Sequence, residues 1–192
     1  MAFLWPGSSA RLRLSAMRAP TLLTDRLSIE PMTLEHWASY AAAWADPRMT
    51  AFIGGEPRSR NMSWGKMLQS IGLWSLFDYG YWSFVDRATG QFVGTGGLAQ
   101  FERGIPELDG FPEAGWAFTP DVWGKGLATE AMAAILQWAD AAQLGEIRCI
   151  IDPQNAASHN VANKLGFSQF AESRDVIGDL FIYRREAHKA TR

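Results

Sequence analysis

Between Glu113 and Ala131 the chain passes from a strand through a glycine turn into a helix, and this passage constrains the fold more than any other. Glu113-Ala-Gly-Trp-Ala-Phe118 is strand-like, and Trp123-Gly124-Lys125-Gly126-Leu127-Ala128-Thr129-Glu130-Ala131 opens an amphipathic helix that runs to about Ala142. Glycines at 124 and 126 let the main chain approach a ligand with no side chain between. The unpaired N–H groups of a first helical turn, aided by the helix dipole, favour an anion. The expected use is a pyrophosphate cradle, although a packed strand-to-helix connection with glycines would carry much the same letters.

About thirty residues on comes a second pattern, Ile150-Ile-Asp-Pro-Gln-Asn155-Ala-Ala-Ser158-His-Asn-Val-Ala-Asn-Lys164-Leu165-Gly166-Phe167. It reads as a strand end, an Asn helix cap, a short helix and a glycine C-cap leading into another strand. With both motifs in this order and spacing, the chain resembles the GNAT superfamily of acetyl-CoA-dependent N-acyltransferases. It is most similar to the branch of RimJ/RimL-type ribosomal-protein N-terminal acetyltransferases, whose aromatic-Gly-Lys-Gly-aliphatic-Ala-Thr-Glu-Ala wording is matched from Trp123 to Ala131. Arg26-Leu27 and Asn155-x-x-Ser158 fit the same branch, and the likeness spans roughly residues 20 to 186. One departure is Trp123, which stands where most of the superfamily has Gln or Arg and removes a polar contact near the pyrophosphate.

Composition agrees with one domain. A chain of 192 residues, 47% hydrophobic and 20% charged, can bury one sizeable core and is short for two. A net charge of −2, without a basic stripe interleaved with aromatics, makes DNA and RNA unexpected ligands. No apolar run approaches the roughly 20 residues that span a bilayer, so no membrane partner is expected. Cys149 lies in Ile147-Arg-Cys-Ile-Ile151, where a buried strand residue is expected rather than a nucleophile. As the single cysteine it can form no internal disulfide, which fits a reducing cytoplasm. His36, His159 and His188 lack metal-ligand spacing, and no metal is expected. The first 24 residues carry Arg11, Arg13, Arg18 and several serines but no acid, a composition that a mitochondrial presequence would share. The expectation is a leader or disordered N-terminus over residues 1–19, with Met17 as an alternative start, and an acetyltransferase-like domain over 20–188.

Along the chain, Arg26 to Glu30 alternates as a first strand ended by Pro31. Thr33 is expected to cap a helix from Leu34 to Ala45, with Trp37, Ala41 and Trp44 on one face, and Asp46-Pro47 to stop it. A second helix over Ser59 to Phe77 places Trp64, Met67, Ile71 and Trp74 at helical spacing. Tyr81 to Val85 and Phe92 to Phe101 read as a hairpin, followed by a Gly/Pro loop from Gly104 to Pro112. Later strands are expected at Glu146 to Ile151, Phe167 to Ala171 and Gly178 to Arg185. The expected class is α/β, a single domain with a mixed, mostly antiparallel central sheet flanked by helices and a βαβ crossover at the ligand. Gly94-Thr-Gly96-Gly-Leu-Ala99 formally matches a dinucleotide fingerprint, but strand and loop follow it rather than a helix. A kinase-type P-loop and a Gly-x-Ser-x-Gly elbow are both absent from the sequence.

The resemblance implies acetyl-CoA as cosubstrate and direct attack by an amine in a ternary complex. The pantetheine arm would lie beside the Glu113 strand, held by main-chain groups of Trp116, Ala117 and Phe118, one of whose N–H groups polarises the acyl oxygen. Trp123, Gly124, Lys125, Gly126, Leu127, Ala128 and Thr129 would cradle the pyrophosphate, and Asn155 would bond the pantetheine, cap its helix, or both. Such an attack needs a base for the amine and a proton for the departing thiolate. Glu113 is the first candidate base, against a solvated strand-end carboxylate, and Glu102 is the runner-up. The superfamily's usual acid, a Tyr five residues before the Phe, is replaced by Ala162; the branch instead suggests Ser158, against a helix serine bonding locally. Trp37, Trp44, Trp64 and Trp74 either line an acceptor pocket or fill core. Asp46, Glu56, Glu107 and Asp109 in loops would suit a cationic amine. The acceptor could be the N-terminal Ala or Ser of a ribosomal protein, an aminoglycoside, an amino acid or a polyamine. The rival function is a non-catalytic acyl-CoA-binding regulatory module, and the resemblance also admits a homodimer.

Overall fold

Leu27 and Ile29 are fully buried while the alternate residues Ser28 and Glu30 are not, and this alternation builds a strand with one face in the core. The computed structural model describes residues 19–175 and 178–187, so the expected N-terminal leader falls almost wholly outside the described residues. The strands are β1 (Leu22–Leu23), β2 (Leu27–Pro31), β3 (Tyr81–Asp86), β4 (Phe92–Ala99), β5 (Glu113–Phe118), β6 (Ile147–Ile151), β7 (Ser168–Asp175) and β8 (Gly178–Arg185). The helices are α1 (Trp37–Trp44), α2 (Pro47–Thr50), α3 (Arg60–Phe77), α4 (Leu127–Ala141) and α5 (Ala156–Lys164). One eight-stranded sheet runs β1-β2-β3-β4-β5-β6-β8-β7. Every neighbouring pair is antiparallel except β5 and β6, which are parallel and joined through α4, the expected βαβ crossover.

Several boundaries differ from the sequence expectation for identifiable reasons. β1 was not expected, because two residues are too few to show alternation. The segment after Thr33 begins as a 3₁₀ turn, Leu34–His36, in which the Thr33 N–H donates to His36 Nδ1 (3.2 Å), and the α-helix proper starts at Trp37. Asp46-Pro47 does stop α1, and it also starts α2, because Asp46 Oδ1 accepts the Arg48 N–H (2.9 Å) with Pro47 at the first helical position. On α3 the buried line is Ser63, Met67, Ser70 and Trp74, with Leu73 beside it, whereas Trp64 and Ile71 flank it at 37% and 36% exposure. Two serines disguised that face; Ser70 is satisfied by donating to the Lys66 carbonyl (2.9 Å).

α4 lays Leu127, Ala131, Met132, Ile135, Leu136 and Ala139 on the sheet, in one core with Trp82, Phe84, Leu98 and Ile147. Burial of Met132, Ile135 and Leu136 contributes about 1.5–3 kcal/mol each. Trp74 joins this core and meets Trp82 edge-on (centroids 4.6 Å), with Trp138 beside both. The glycine run of β4 is a packing device: a Cβ on Gly96 would stand 2.7 Å from the Gly115 carbonyl oxygen and 2.8 Å from Phe84 Cζ. No helix among the described residues is long and apolar enough to cross a membrane.

Candidate functional site

β5 and β6 touch at a single register position, Glu113 against Arg148, where the Arg148 N–H donates to the Pro112 carbonyl (3.0 Å), and then they part. The cleft that opens there has a volume of about 710 Å³. Glu113, Ala114, Gly115, Trp116 and Ala117 form one wall, and Ile151, Asp152, Asn155 and Ser158 form another. The Thr119 N–H donates to the Val93 carbonyl (2.9 Å), so the period-two alternation of β5 turns the main-chain groups of Ala117 and Gly115 toward β4 and those of Trp116 and Phe118 toward the gap. Ala117 therefore offers its side chain to the cleft but not the open main-chain groups expected of it. The Phe118 carbonyl is also taken, accepting from Trp123 Nε1 (2.7 Å), which leaves the Trp116 main chain and the Phe118 N–H on the open edge.

At the other end of β5 lies the glycine turn. Gly124 and Gly126 have φ of 73° and 77°, left-handed values that glycine adopts without strain. The first amide to return to the chain is that of Glu130, which donates to the Gly126 carbonyl (3.1 Å). Among the described residues, the N–H groups of residues 124 to 129 have no acceptor, so six consecutive donors remain for an anion. Residues 123 to 129 lie outside the cleft lining, one strand length from Glu113. The Trp123 indole, half exposed, closes over the end of β5, and Lys125 Nζ donates to the Asp121 carbonyl (3.1 Å).

A network that sequence reading missed holds this turn. Glu130 accepts from Thr24 Oγ1 (2.6 Å), the Arg26 N–H (2.9 Å) and Arg26 Nε (2.7 Å), and Arg26 Nη1 donates to the Lys125 carbonyl (2.8 Å). Burial pushes the Glu130 carboxyl up, but the Thr24 and Arg26 bonds outweigh it and hold it below the usual range. The visible signal was the Arg26-Leu27 pair at the strand opening; its partner lies about a hundred residues away.

Glu113 is buried and ion-paired. Arg103 Nε and Nη2 donate to its two oxygens at 2.7 Å each. The fork uses two of about four acceptor positions on a carboxylate. Tyr81, also missed, sets its phenol over Gly115 in the same cleft; burial first and Glu113 second raise that phenol above its usual value. Ser158 stands in the first turn of α5, its main-chain N–H bonded to Asn155 Oδ1 (3.0 Å), while its hydroxyl has no partner among the described residues. Asn155 thus caps α5 through its oxygen and lines the cleft as well.

Other candidates are placed elsewhere. Glu102 is exposed and outside the cleft, because β4 ends at Ala99. Of the four tryptophans, only Trp44 lines the cleft; Trp37 and Trp64 pack on each other edge-on (5.0 Å) and Trp74 is core. Asp46, Glu56, Glu107 and Asp109 are absent from the cleft wall, whose cations are Arg58, Lys66 and Arg103. Cys149 is buried on β6, and that burial pushes its thiol well up, away from thiolate chemistry. Among the described residues no cluster of His, Cys, Asp or Glu could hold a metal ion.

Comparison with known proteins decides the family. The family model described as acetyltransferase (GNAT) domain matches residues 26–168. The chain belongs to the GNAT acetyltransferase family. This GNAT acetyltransferase is 28% identical over 157 residues to an uncharacterized N-acetyltransferase, p20, of Bacillus licheniformis, covering 81% of the chain and 86% of that protein. The crystal structure of an acetyltransferase from Agrobacterium tumefaciens superposes with a TM-score of 0.76 at 26% identity, over 88% of this chain and 95% of that one. A ribosomal-protein-S5-alanine acetyltransferase from Vibrio fischeri shares the fold, with a TM-score of 0.69 at 17% identity, over 88% and 97% of the two chains. Members of the GNAT family use acetyl-CoA, and the six open amides together with the unpaired edge of β5 fit an elongated, anionic ligand of that kind.

Proposed function

We propose that this GNAT acetyltransferase moves an acetyl group from acetyl-CoA to a primary amine, on a protein N-terminus or a small molecule, by direct attack in a ternary complex, and that it stands near the RimJ/RimL-type branch. The observation that carries the reading is the parting of β5 from β6, which puts the open β5 edge, Glu113 and Ser158 in one cleft. The 124 to 129 amides are assigned to the pyrophosphate, and the Trp116 main chain with Asn155 to the pantetheine. Acetyl-CoA, when bound, supplies a thioester carbonyl and a thiolate leaving group.

The chain's own residues then divide the work. The Trp116 N–H, fixed on a strand edge, is assigned to the acyl oxygen, where a donor held in place needs no reorganisation as charge develops. Glu113 receives the amine proton through an acceptor position that Arg103 leaves open, by way of a water. Ser158 Oγ, without a partner among the described residues, gives a proton to the sulfur.

The test is mass spectrometry of an amine panel, including peptides that begin with Ala and Ser, after incubation with acetyl-CoA. A product heavier by one acetyl group should appear. It should vanish in Gly126→Val, where a β-branched side chain meets a left-handed φ. Glu113→Gln should lower kcat ~10²-fold and flatten the rising limb of the pH–rate profile; an unchanged profile refutes the base.

A further inference from the structure

The half of the cleft built by α1 to α3 carries more positive charge than its acids neutralise. Arg58 enters from the α2–α3 connection, Lys66 from α3 and Arg103 from the β4–β5 loop. Of the two acids lining the cleft, Glu113 is engaged by the Arg103 fork, and Asp152, at the end of β6, accepts the Gln154 N–H (2.8 Å). Arg58 and Lys66 form no ion pair among the described residues. The Arg58 guanidinium lies over the Trp44 ring, 3.7 Å from its centroid, which fixes the plane and leaves the N–H edge for a planar acceptor. Lys66 Nζ spends one donor on Gln69 Oε1 (3.1 Å) and keeps two. The Trp44 indole N–H, buried on the same wall beside Tyr40, meets no partner of hydrogen-bond geometry among the described residues. Burial lowers the Arg58 guanidinium from its usual value, so that charge is held against a cost, whereas Lys66 is exposed and is lowered by its own desolvation and by Arg58 and Arg103 against the pull of Glu113.

Unspent donors of one sign around a cleft point to a ligand of the other sign. We infer that the acceptor amine also carries an oxyanion, a carboxylate or a phosphate, gripped by Arg58 and Lys66 while its nitrogen faces Glu113. This rests on the acetyl-transfer reading and narrows it. A polyamine or an aminoglycoside would bring its spare ammonium groups against Arg58 and Lys66, so the cationic amine suggested by the loop acids is the wrong class. A planar carboxylate suits the Arg58 edge bidentately, with Lys66 as a point charge.

Matched acceptors test it. An aromatic amino acid is compared with its carboxamide and its decarboxylated amine, phosphoethanolamine with ethanolamine, a dipeptide with and without C-terminal amidation, and spermidine stands for the polycations. The expected result is a kcat/KM about tenfold to a hundredfold higher for the anionic member of at least one pair, the size of a charge-assisted hydrogen bond. Lys66→Met and Arg58→Gln should erase that difference, and Arg58→Lys should restore part of it. Which pair responds tells a free amino acid from a phosphate or a peptide end. Equal kcat/KM within every pair, or a preference for spermidine, overturns the inference and leaves acetyl transfer standing. Acetylation of nothing on the panel removes the reading beneath it. Acetyl-CoA affinity, measured by calorimetry on the folded variants, should be unchanged; a tenfold loss would assign these cations to the cosubstrate and overturn the proposal.

Discussion

Glu130→Gln tests whether the Arg26 network holds the glycine turn. The carboxylate receives three donors at 2.6–2.9 Å, from Thr24 Oγ1 and from Arg26 N and Nε, and Arg26 Nη2 adds an ion-pair contact at 2.6 Å. Glutamine keeps one oxygen for Thr24 and the Arg26 N–H but turns an NH₂ group toward the guanidinium. The Arg26 side chain is half exposed, so its ion pair is screened and contributes a few tenths of a kcal/mol. The buried end, where Glu130 is 18% exposed, carries most of the loss, about 1–2 kcal/mol in all. For a chain of this length that is roughly 5 °C in Tm. Because Arg26 Nη1 also holds the Lys125 carbonyl, the turn should loosen and the acetyl-CoA Kd rise about fivefold, equivalent to ~1 kcal/mol.

The pH dependence gives an independent readout. A folded carboxyl held below its usual value of 4.5 binds fewer protons than in the unfolded chain. Its contribution is complete above the unfolded value and is lost as pH falls through the folded one. Urea midpoints followed from neutral pH into that acid window should therefore fall less steeply in Glu130→Gln than in the parent. Equal midpoints at neutral pH, parallel acid slopes and an unchanged Kd would refute the positioning role.

Two further perturbations separate scaffold from chemistry. Gly96→Ala must push the Gly115 carbonyl or Phe84 aside and should cost about 1–3 kcal/mol in urea unfolding, since it overpacks a buried strand under the β5 wall. Ser158→Ala should lower kcat about tenfold or more while leaving Tm within ~1 °C, because its hydroxyl has no partner among the described residues; recovery of rate with an acyl donor whose leaving thiol is more acidic would mark it as the acid, and no recovery would reassign it.

Much of this molecule is legible in its letters because the decisive interactions are local. A left-handed turn needs glycine at 124 and 126, an α5 cap needs an acceptor such as Asn155 three residues before Ser158, and a core-facing α4 needs apolar residues at helical spacing. Each of these acts within a few residues, so the sequence alone determined the glycine turn, the crossover and the order of the longer elements. It placed α3 but missed the two serines on its buried face, and it misjudged the strand end at Phe101, whose cleft neighbour Arg103 went unremarked.

What acts between distant segments was decided only by tertiary structure. Arg26 reaches Glu130, Arg103 forks onto Glu113, and Tyr81 settles over Gly115, pairings that no local pattern announces. The charge of the cleft wall is the plainest case. Asp46, Glu56, Glu107 and Asp109 stand near these cations in the letters, yet the fold leaves those acids outside and converges Arg58, Lys66 and Arg103 from three separate segments. An electrostatic field depends on distance and burial rather than on order along the chain, so it exists only once the sheet has brought those segments together.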